Sequence, residues 1–175
     1  MSRPTSTDLA FRGLVDRYLE RVYRYLRNLT RDEDSARELA HETFLNLRRR
    51  LETGETPSEA YVFTAARNAA LSAWRRRQND NRKHELASVE RPAGNPANSP
   101  TFETERKELR TALEDALGTL PEEQRSVFLL SEIEGLKYGE IAEAMGIPAG
   151  TVASRKHQAG RALREELERM GHALP

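Results

Sequence analysis

A stretch near the C-terminus has the residue types and spacing to bind a polyanion. Between residues 146 and 164 the chain carries four basic side chains and no acidic one. Gly146, Pro148 and Gly150 at its start are typical of a tight turn followed by a helix N-terminus. Free amides at such an N-terminus bind phosphate, and arginine binds guanine edges or backbone oxygens. The pattern therefore indicates non-covalent binding of nucleic acid rather than covalent chemistry.

Two short helices on either side of Gly146 would position these groups. A small residue at Ala142, the turn at Gly146 and an inward Val152 let two helices cross closely and steeply, as in a helix-turn-helix. The alternative is a plain helical hairpin inside a bundle. We expect the duplex-binding residues on the outward side of the second helix and beside it: Tyr138, Gly150, Thr151, Ala153, Ser154, Arg155, Lys156, His157 and Gln158.

The N-terminal part predicts three helices. Apolar residues recur at steps of three and four over residues 36–51, and before them in a first stripe of Phe11, Leu14, Val15, Tyr18, Leu19, Val22, Tyr23, Leu26 and Leu29. Thr30 with Glu33 forms a capping-box pattern before the second stripe, and Thr56 is expected to cap the third helix. This third helix, residues 60–74, is apolar on more than one side, which predicts a buried position with Phe63 in the core.

The expected fold is all-α, since no strand-like alternation occurs. It comprises two small helical domains: three helices in residues 8–78, and four helices with the helix-turn-helix in residues 102–170. Residues 79–101 are rich in Asn and Pro and predict a flexible linker.

Composition excludes several classes of protein. The 175 residues include 28 basic and 28 acidic side chains, so the formal net charge is zero, and there is no cysteine. Disulfide scaffolds, Cys-ligated zinc and thiol nucleophiles are therefore excluded. No apolar run is long enough to span a membrane, so we expect a cytoplasmic protein without membrane insertion. The charge is segregated: residues 1–77 carry a net +4, residues 103–145 a net −6, and residues 146–164 a net +4.

These motifs resemble a known family. The segment from Glu140 to Arg155, EIAEAMGIPAGTVASR, is similar to region 4 of bacterial sigma factors of the extracytoplasmic-function (ECF) group, and LPEEQR at residues 120–125 is similar to the start of that region. ARELAHETFL at residues 36–45 resembles the region 2 helix that binds the polymerase clamp. YVFTAARN at residues 61–68, continuing to WRRR at 74–77, resembles the helix that handles the −10 element.

The resemblance implies partners and site residues. The partners would be core RNA polymerase (its clamp helices and flap), promoter DNA (duplex at −35 and single-stranded at −10) and an anti-sigma factor. Residues at the −10 element would be Tyr61, Arg67, Asn68, Arg75, Arg76 and Arg77. Residues at the polymerase would be Glu38, His41, Glu42 and Leu45. Ser35, His41 and Arg48 differ from the residues common at these family positions.

Catalysis, a cofactor and a metal are not expected. Glu38-x-x-His41 resembles half of a di-iron motif, but the chain has no second Glu-x-x-His. Promoter recognition by a sigma factor is therefore the leading interpretation. The alternatives are a stand-alone helix-turn-helix regulator and a degenerate sigma-like interaction protein.

Overall fold

The chain folds into helices and connecting turns. In a computed structural model, residues 5–83 and 102–172 are described. They contain seven α-helices and no strand, which confirms the expected all-α class. The helices are α1 (Ser6–Thr30), α2 (Glu33–Glu52), α3 (Glu59–Lys83), α4 (Phe102–Thr119), α5 (Glu122–Phe128), α6 (Tyr138–Met145) and α7 (Ala149–Arg169). Since α3 continues to Lys83, the start of the expected linker is helical, and residues 84–101 lie outside the described ranges.

Two helix starts differ from the sequence prediction. The N-cap of α2 is Asp32, whose carboxylate accepts from the Ser35 amide at 3.0 Å, so the expected capping box at Thr30 is wrong. Thr30 instead ends α1, where its hydroxyl donates to the Leu26 carbonyl. At α3 the Ser58 hydroxyl, rather than Thr56, accepts from the Tyr61 amide at 3.1 Å. In both places a nearer polar side chain satisfies the free amides.

The core of the N-terminal half (α1–α3) lies where α1 crosses the other two helices. Tyr25 and Phe63 are fully buried and pack edge to face, with ring centroids 5.7 Å apart. The burial of Phe63 confirms its expected place in the core. Tyr25 is buried although it stood outside the sequence stripe, whereas Leu19, within that stripe, is 46% exposed. The buried side of α1 therefore extends beyond the expected stripe to Tyr25, which contacts Ser126 of the C-terminal half.

The C-terminal half (α4–α7) contains the expected helix-turn-helix. A π-helical turn, Leu129–Ile133, follows α5, and Gly135 ends it at φ 71°. Gly146 caps α6 at φ 65°, a left-handed conformation that glycine adopts without a side-chain clash. Val152, Ala159 and Leu163 anchor α7 in the core.

The two halves pack against each other. Helix α6 contacts α3, and α1 contacts α5 and the π-helical turn. The buried residues of both halves form one continuous cluster. The first helix of the helix-turn-helix therefore lies directly on the third helix of the N-terminal half.

Candidate nucleic-acid interface

The exposed side of α7 has the geometry of a DNA-reading helix. Its N-terminus follows Pro148 and has no side-chain cap, so the amides of the first turn are available to an anion. Val152, near the start of α7, is fully buried, and its burial determines the side of the helix that faces outward. We name this outward side the recognition face; its exposed or half-buried members are Gly150, Thr151, Ala153, Ser154, His157 and Gln158.

Two basic residues of α7 are paired with acidic side chains. Arg155 is 22% exposed and lies 2.5 Å from the Glu123 carboxylate on α5. Lys156 lies 2.6 Å from Glu132, and this hydrogen bond raises the pKa of the Lys156 amine. The Lys156 ammonium is also 5.6 Å from the centroid of the Tyr138 ring, which is 40% exposed. These three residues are therefore adjacent to the recognition face, and both cations are paired with carboxylates.

Two further basic residues lie beside the predicted site on the exposed side of α7. An open cleft of about 460 Å³ is lined by Tyr138, Lys156 and His157 and also by Gly160, Arg161 and Arg164. Arg161 and Arg164 were absent from the expected site. Their spacing of four and seven residues from His157 places them on one helix side, which is the signal that could have found them.

The −10 candidates on α3 differ in accessibility. Asn68 is exposed, and the Tyr61 ring is half-buried beneath the Arg50 guanidinium, 4.0 Å from its centroid. Arg67 is only 12% exposed. Its Nε and Nη2 donate to the two carboxylate oxygens of Glu122 on α5, at 3.2 and 3.1 Å. The structure therefore covers one of the expected DNA-binding arginines with the other half of the chain.

A run of three arginines further along α3 is more open. Arg75, Arg76 and Arg77 are all exposed. Arg76 lies 3.5 Å from Glu42, and Arg77 donates to the Ser35 hydroxyl at 2.6 Å. Trp74 is 54% exposed beside them and was not among the expected site residues. An exposed indole next to cations offers a stacking surface for an unpaired base.

The four polymerase candidates occupy two sides of α2. His41 and Leu45 line an open, largely apolar groove of about 700 Å³ between α1 and α2, which also contains the exposed Leu19. Glu38 and Glu42 line a different cavity, shared with α3 and the α4–α5 turn. The four residues therefore do not form one cluster: His41 and Leu45 lie together on one side of α2, and Glu38 and Glu42 lie on the other.

Within residues 5–83 and 102–172, none of the helices is both long enough and apolar enough to cross a bilayer. In that same part of the chain, His, Asp and Glu side chains do not gather into a group of three or more that could hold a metal ion.

The helix-turn-helix and the three-helix half together define a DNA-binding protein of the sigma-70 type. The family model for sigma-70 region 2 matches residues 14–79, and that for sigma-70 region 4 matches residues 110–163. Region 2 denotes helices α1–α3 of this chain, and region 4 denotes helices α4–α7.

Relatives define the group more narrowly. The chain is 34% identical to the ECF RNA polymerase sigma factor SigL of Mycobacterium tuberculosis, over 91% of this chain and 90% of that protein. It is 34% identical to the RNA polymerase sigma factor CarQ of Myxococcus xanthus, over 90% and 89%. The chain belongs to the ECF RNA polymerase sigma factors. Its function is that of the family: it binds core RNA polymerase and promoter DNA in transcription initiation.

A solved structure shares the fold. The sigma factor RpoE in complex with the anti-sigma factor NepR, from Bartonella quintana, aligns with a TM-score of 0.75 and 24% identity. The alignment covers 90% of this chain and 96% of that one.

Proposed function

We propose a division of labour among three surfaces of this sigma factor. The recognition face of α7, with Arg155 and Lys156, binds duplex DNA at the −35 element. Helix α3 binds unpaired DNA at the −10 element. The groove between α1 and α2 binds the polymerase clamp. The proposed domain boundaries are residues 8–78 for region 2 and 102–170 for region 4, with a linker at 79–101 whose first residues continue α3 as far as Lys83.

The observation that carries this proposal is the geometry of the helix-turn-helix. Val152 is fully buried while Ser154, His157 and Gln158 on the same helix are exposed. A helix of this kind fits the major groove, where polar side chains reach base edges. The first-turn amides and the cleft with Arg161 and Arg164 are then available for phosphates, which fix the register of the helix on the duplex.

At the −10 element the proposal rests on the chemistry of α3. Single-stranded DNA is bound by aromatic rings that stack on bases and by cations that follow the backbone. Tyr61 and Trp74 supply the rings, Asn68 an exposed amide, and Arg75 an exposed cation. These groups favour unpaired bases over a closed duplex, which is the preference that promoter opening requires.

The polymerase contact rests on the apolar groove. Leu45 and Leu19 are 44% and 46% exposed within it, and His41 lies at its rim. An apolar groove on an otherwise charged helix pair fits the side of a partner helix. Glu38 and Glu42, on the neighbouring side of α2, would then face basic residues of that partner.

A run-off transcription assay tests the proposal. Purified core polymerase is incubated with the chain on a library of genomic fragments, and transcripts that depend on the chain are sequenced. We expect Arg155→Ala to weaken −35 binding by about 1–3 kcal/mol if Arg155 reads a base. Arg169→Ala is the matched control, because it removes the same side chain from the far end of α7. A library without any chain-dependent transcript would contradict the proposal.

The clamp contact has a separate test. Leu45→Ala removes an exposed apolar side chain from the groove, while Asn46→Ala changes the neighbouring exposed residue outside it. We expect Leu45→Ala to lower the affinity for core polymerase several-fold and Asn46→Ala to leave it unchanged. Equal affinities of the two variants would remove Leu45 from the contact.

The remaining parts of the proposal concern partners and location. We infer that the chain has no catalytic activity of its own, acts in the cytoplasm with the polymerase, and is held inactive by an anti-sigma factor. The last point is supported by the solved complex of the similar sigma factor RpoE with NepR.

A further inference from the structure

Two side chains of α7 have polar partners on α5. Arg155 is paired with Glu123, as described above. Gln124, the next residue of α5, contacts Gln158, which lies three residues beyond Arg155 and therefore on the same side of α7. Gln158 is exposed and belongs to the recognition face. A side chain of α5 thus contacts a residue that is proposed to face the duplex.

Buried residues hold the two helices together beside this pair. Helix α5 packs against α7, and Val127 on α5 and Ala159 on α7 have no exposed surface. Ala159 directly follows Gln158 in the chain, and Val127 lies one helical turn after Gln124. The core of region 4 therefore sets the distance between the backbones of the two glutamines.

The hydrogen bond between the two amides has a direction. Gln124 Nε2 donates to Gln158 Oε1 at 3.2 Å. A glutamine amide carries a carbonyl oxygen, which accepts, and an NH2 group, which donates. Because the Gln158 oxygen is bonded to α5, the group that Gln158 leaves for a ligand is its NH2 donor.

A donor alone distinguishes the bases in the major groove. Guanine presents two acceptors there and thymine presents one, whereas cytosine presents an amino donor. Adenine presents an acceptor beside an amino donor, and glutamine recognises it by using its oxygen and its nitrogen together. Gln158 with its oxygen bonded to Gln124 does not complete that pair. Its NH2 group against the amino group of adenine or cytosine would leave donors without acceptors, which costs free energy.

We propose that Gln124 is a positioning residue that sets the base preference of Gln158. By holding the Gln158 oxygen, it leaves the NH2 group for the duplex. The base that meets Gln158 is therefore selected for acceptors: guanine first, thymine second, adenine and cytosine last. This inference rests on the proposed binding of duplex DNA by the recognition face. Gln124 contacts the side chain that reads the base and not the base itself.

Selection from a randomised promoter tests the inference. A promoter obtained in the run-off assay is randomised in its −35 segment, bound by the complex of the chain with core polymerase, and sequenced before and after selection. Gln158→Ala identifies the base pair that Gln158 meets, as the position at which the preference is lost. There we expect the parent to enrich guanine over adenine by about fivefold or more, the lower end of what one side chain contributes at a base edge.

Substitutions at Gln124 change the partner of Gln158 in different ways. Gln124→Leu offers no hydrogen bond, so the Gln158 oxygen is released and the enrichment of guanine over adenine should disappear. Gln124→Glu offers only acceptors, so Gln158 must donate to it and present its oxygen, and the preference should move to adenine and cytosine. Gln124→Lys still donates and is the matched control, for which we expect the preference of the parent. Ratios are compared within each variant, because the added charges change the affinity for all sequences alike.

The outcomes separate the inference from the proposed function. The inference is overturned, while binding at the −35 element stands, if Gln124→Leu and Gln124→Glu keep the preference of the parent or if Gln124→Lys loses it. A parent that prefers adenine or cytosine at this position, or a Gln158→Ala variant that keeps every preference, overturns it in the same way. If neither the parent nor any variant selects a −35 sequence, the proposed function of the recognition face fails and the inference fails with it.

Nuclear magnetic resonance of the chain without DNA tests the hydrogen bond itself. The glutamines of the chain are Gln78, Gln124 and Gln158, so isotope labelling of glutamine side-chain amides gives few signals. We expect the NH2 protons of Gln124 to shift less with temperature than those of Gln158, because the former are bonded within the protein and the latter face water. Gln158→Ala should raise the temperature dependence at Gln124 and leave Gln78 unchanged. The opposite order of Gln124 and Gln158 would show that Gln158 is the donor, and would overturn the inference.

Discussion

The hydroxyl groups of Tyr25 in region 2 and Ser126 in region 4 lie 3.0 Å apart, and both residues are fully buried. The Ser126 hydroxyl donates its one hydrogen to Glu122 at 2.9 Å, so Tyr25 is the donor in the pair. Burial raises the pKa of the Tyr25 phenol, which keeps it protonated for this role. A chain of hydrogen bonds thus runs from Tyr25 through Ser126 and Glu122 to Arg67.

This direction of donation predicts unequal costs for removing the two hydroxyls. Tyr25→Phe removes one hydrogen bond but leaves Ser126 bonded to Glu122, so we expect a loss of about 0.5–1.5 kcal/mol in the free energy of unfolding. Ser126→Ala leaves the buried Tyr25 hydroxyl without its partner, and we expect a loss of about 1–3 kcal/mol. Urea unfolding measures the free energy of unfolding of both variants. The double variant should lose less of this free energy than the sum of the two single losses. Equal costs for the single variants would contradict the assigned donor.

Acid sensitivity is predicted at Glu59. The Arg21 guanidinium donates to Glu59 at 2.7 Å, and this hydrogen bond lowers the pKa of the carboxyl below its ordinary value of 4.5, against the opposing effect of burial. Because the folded pKa is lowered, the stabilisation is present above the unfolded pKa and is lost as pH falls through the folded one.

We expect Glu59→Gln to cost about 1.5–3 kcal/mol at pH 7. As the pH falls below 4.5 and through the lowered pKa of folded Glu59, the difference from the parent should shrink, because the carboxyl of the parent becomes protonated. Denaturant unfolding at a series of pH values measures this, with the exposed Glu20→Gln as control. If the difference in free energy of unfolding between Glu59→Gln and the parent stayed constant down to low pH, Glu59 would not contribute to the acid sensitivity.

The sequence predicted the helices better than it predicted the contacts between the two regions. The turn at Gly146 and the burial of Val152 follow from local spacing, because both depend on residues within the same motif. The burial of Arg67 did not, since Glu122 lies 55 residues away along the chain. No local pattern indicates the burial of Glu134 either, because its partners Arg21 and Arg24 are more than 100 residues distant in sequence. Contacts between the regions depend on their docking, which no local pattern encodes.

The turn of the helix-turn-helix is predicted to require glycine for its backbone conformation alone. Gly146 has φ 65°, and no atom within 4 Å would obstruct a methyl group there. We expect Gly146→Ala to lower the free energy of unfolding by about 1–2 kcal/mol, the cost of the left-handed conformation for an L-residue. Gly139, in the first turn of α6, has the same open surroundings without a positive φ. Gly139→Ala should therefore stabilise the helix by about 0.5–1 kcal/mol. If Gly146→Ala and Gly139→Ala changed the free energy of unfolding in the same direction, this account would be contradicted.

The three arginines at residues 75–77 of α3 are predicted to contribute unequally to the salt dependence of promoter binding. Arg75 is exposed, whereas Arg76 and Arg77 already interact with Glu42 and Ser35. A contact to single-stranded phosphate contributes about 0.7 to the slope of log K against log salt concentration. We expect Arg75→Ala to reduce the slope by about that amount and the other two substitutions to reduce it less. The measurement is binding of the polymerase–sigma complex to a promoter with an unpaired −10 segment, over a series of salt concentrations. Arg12→Ala, an exposed charge on α1, is the control, and an unchanged slope in Arg75→Ala would show that Arg75 does not contact the backbone.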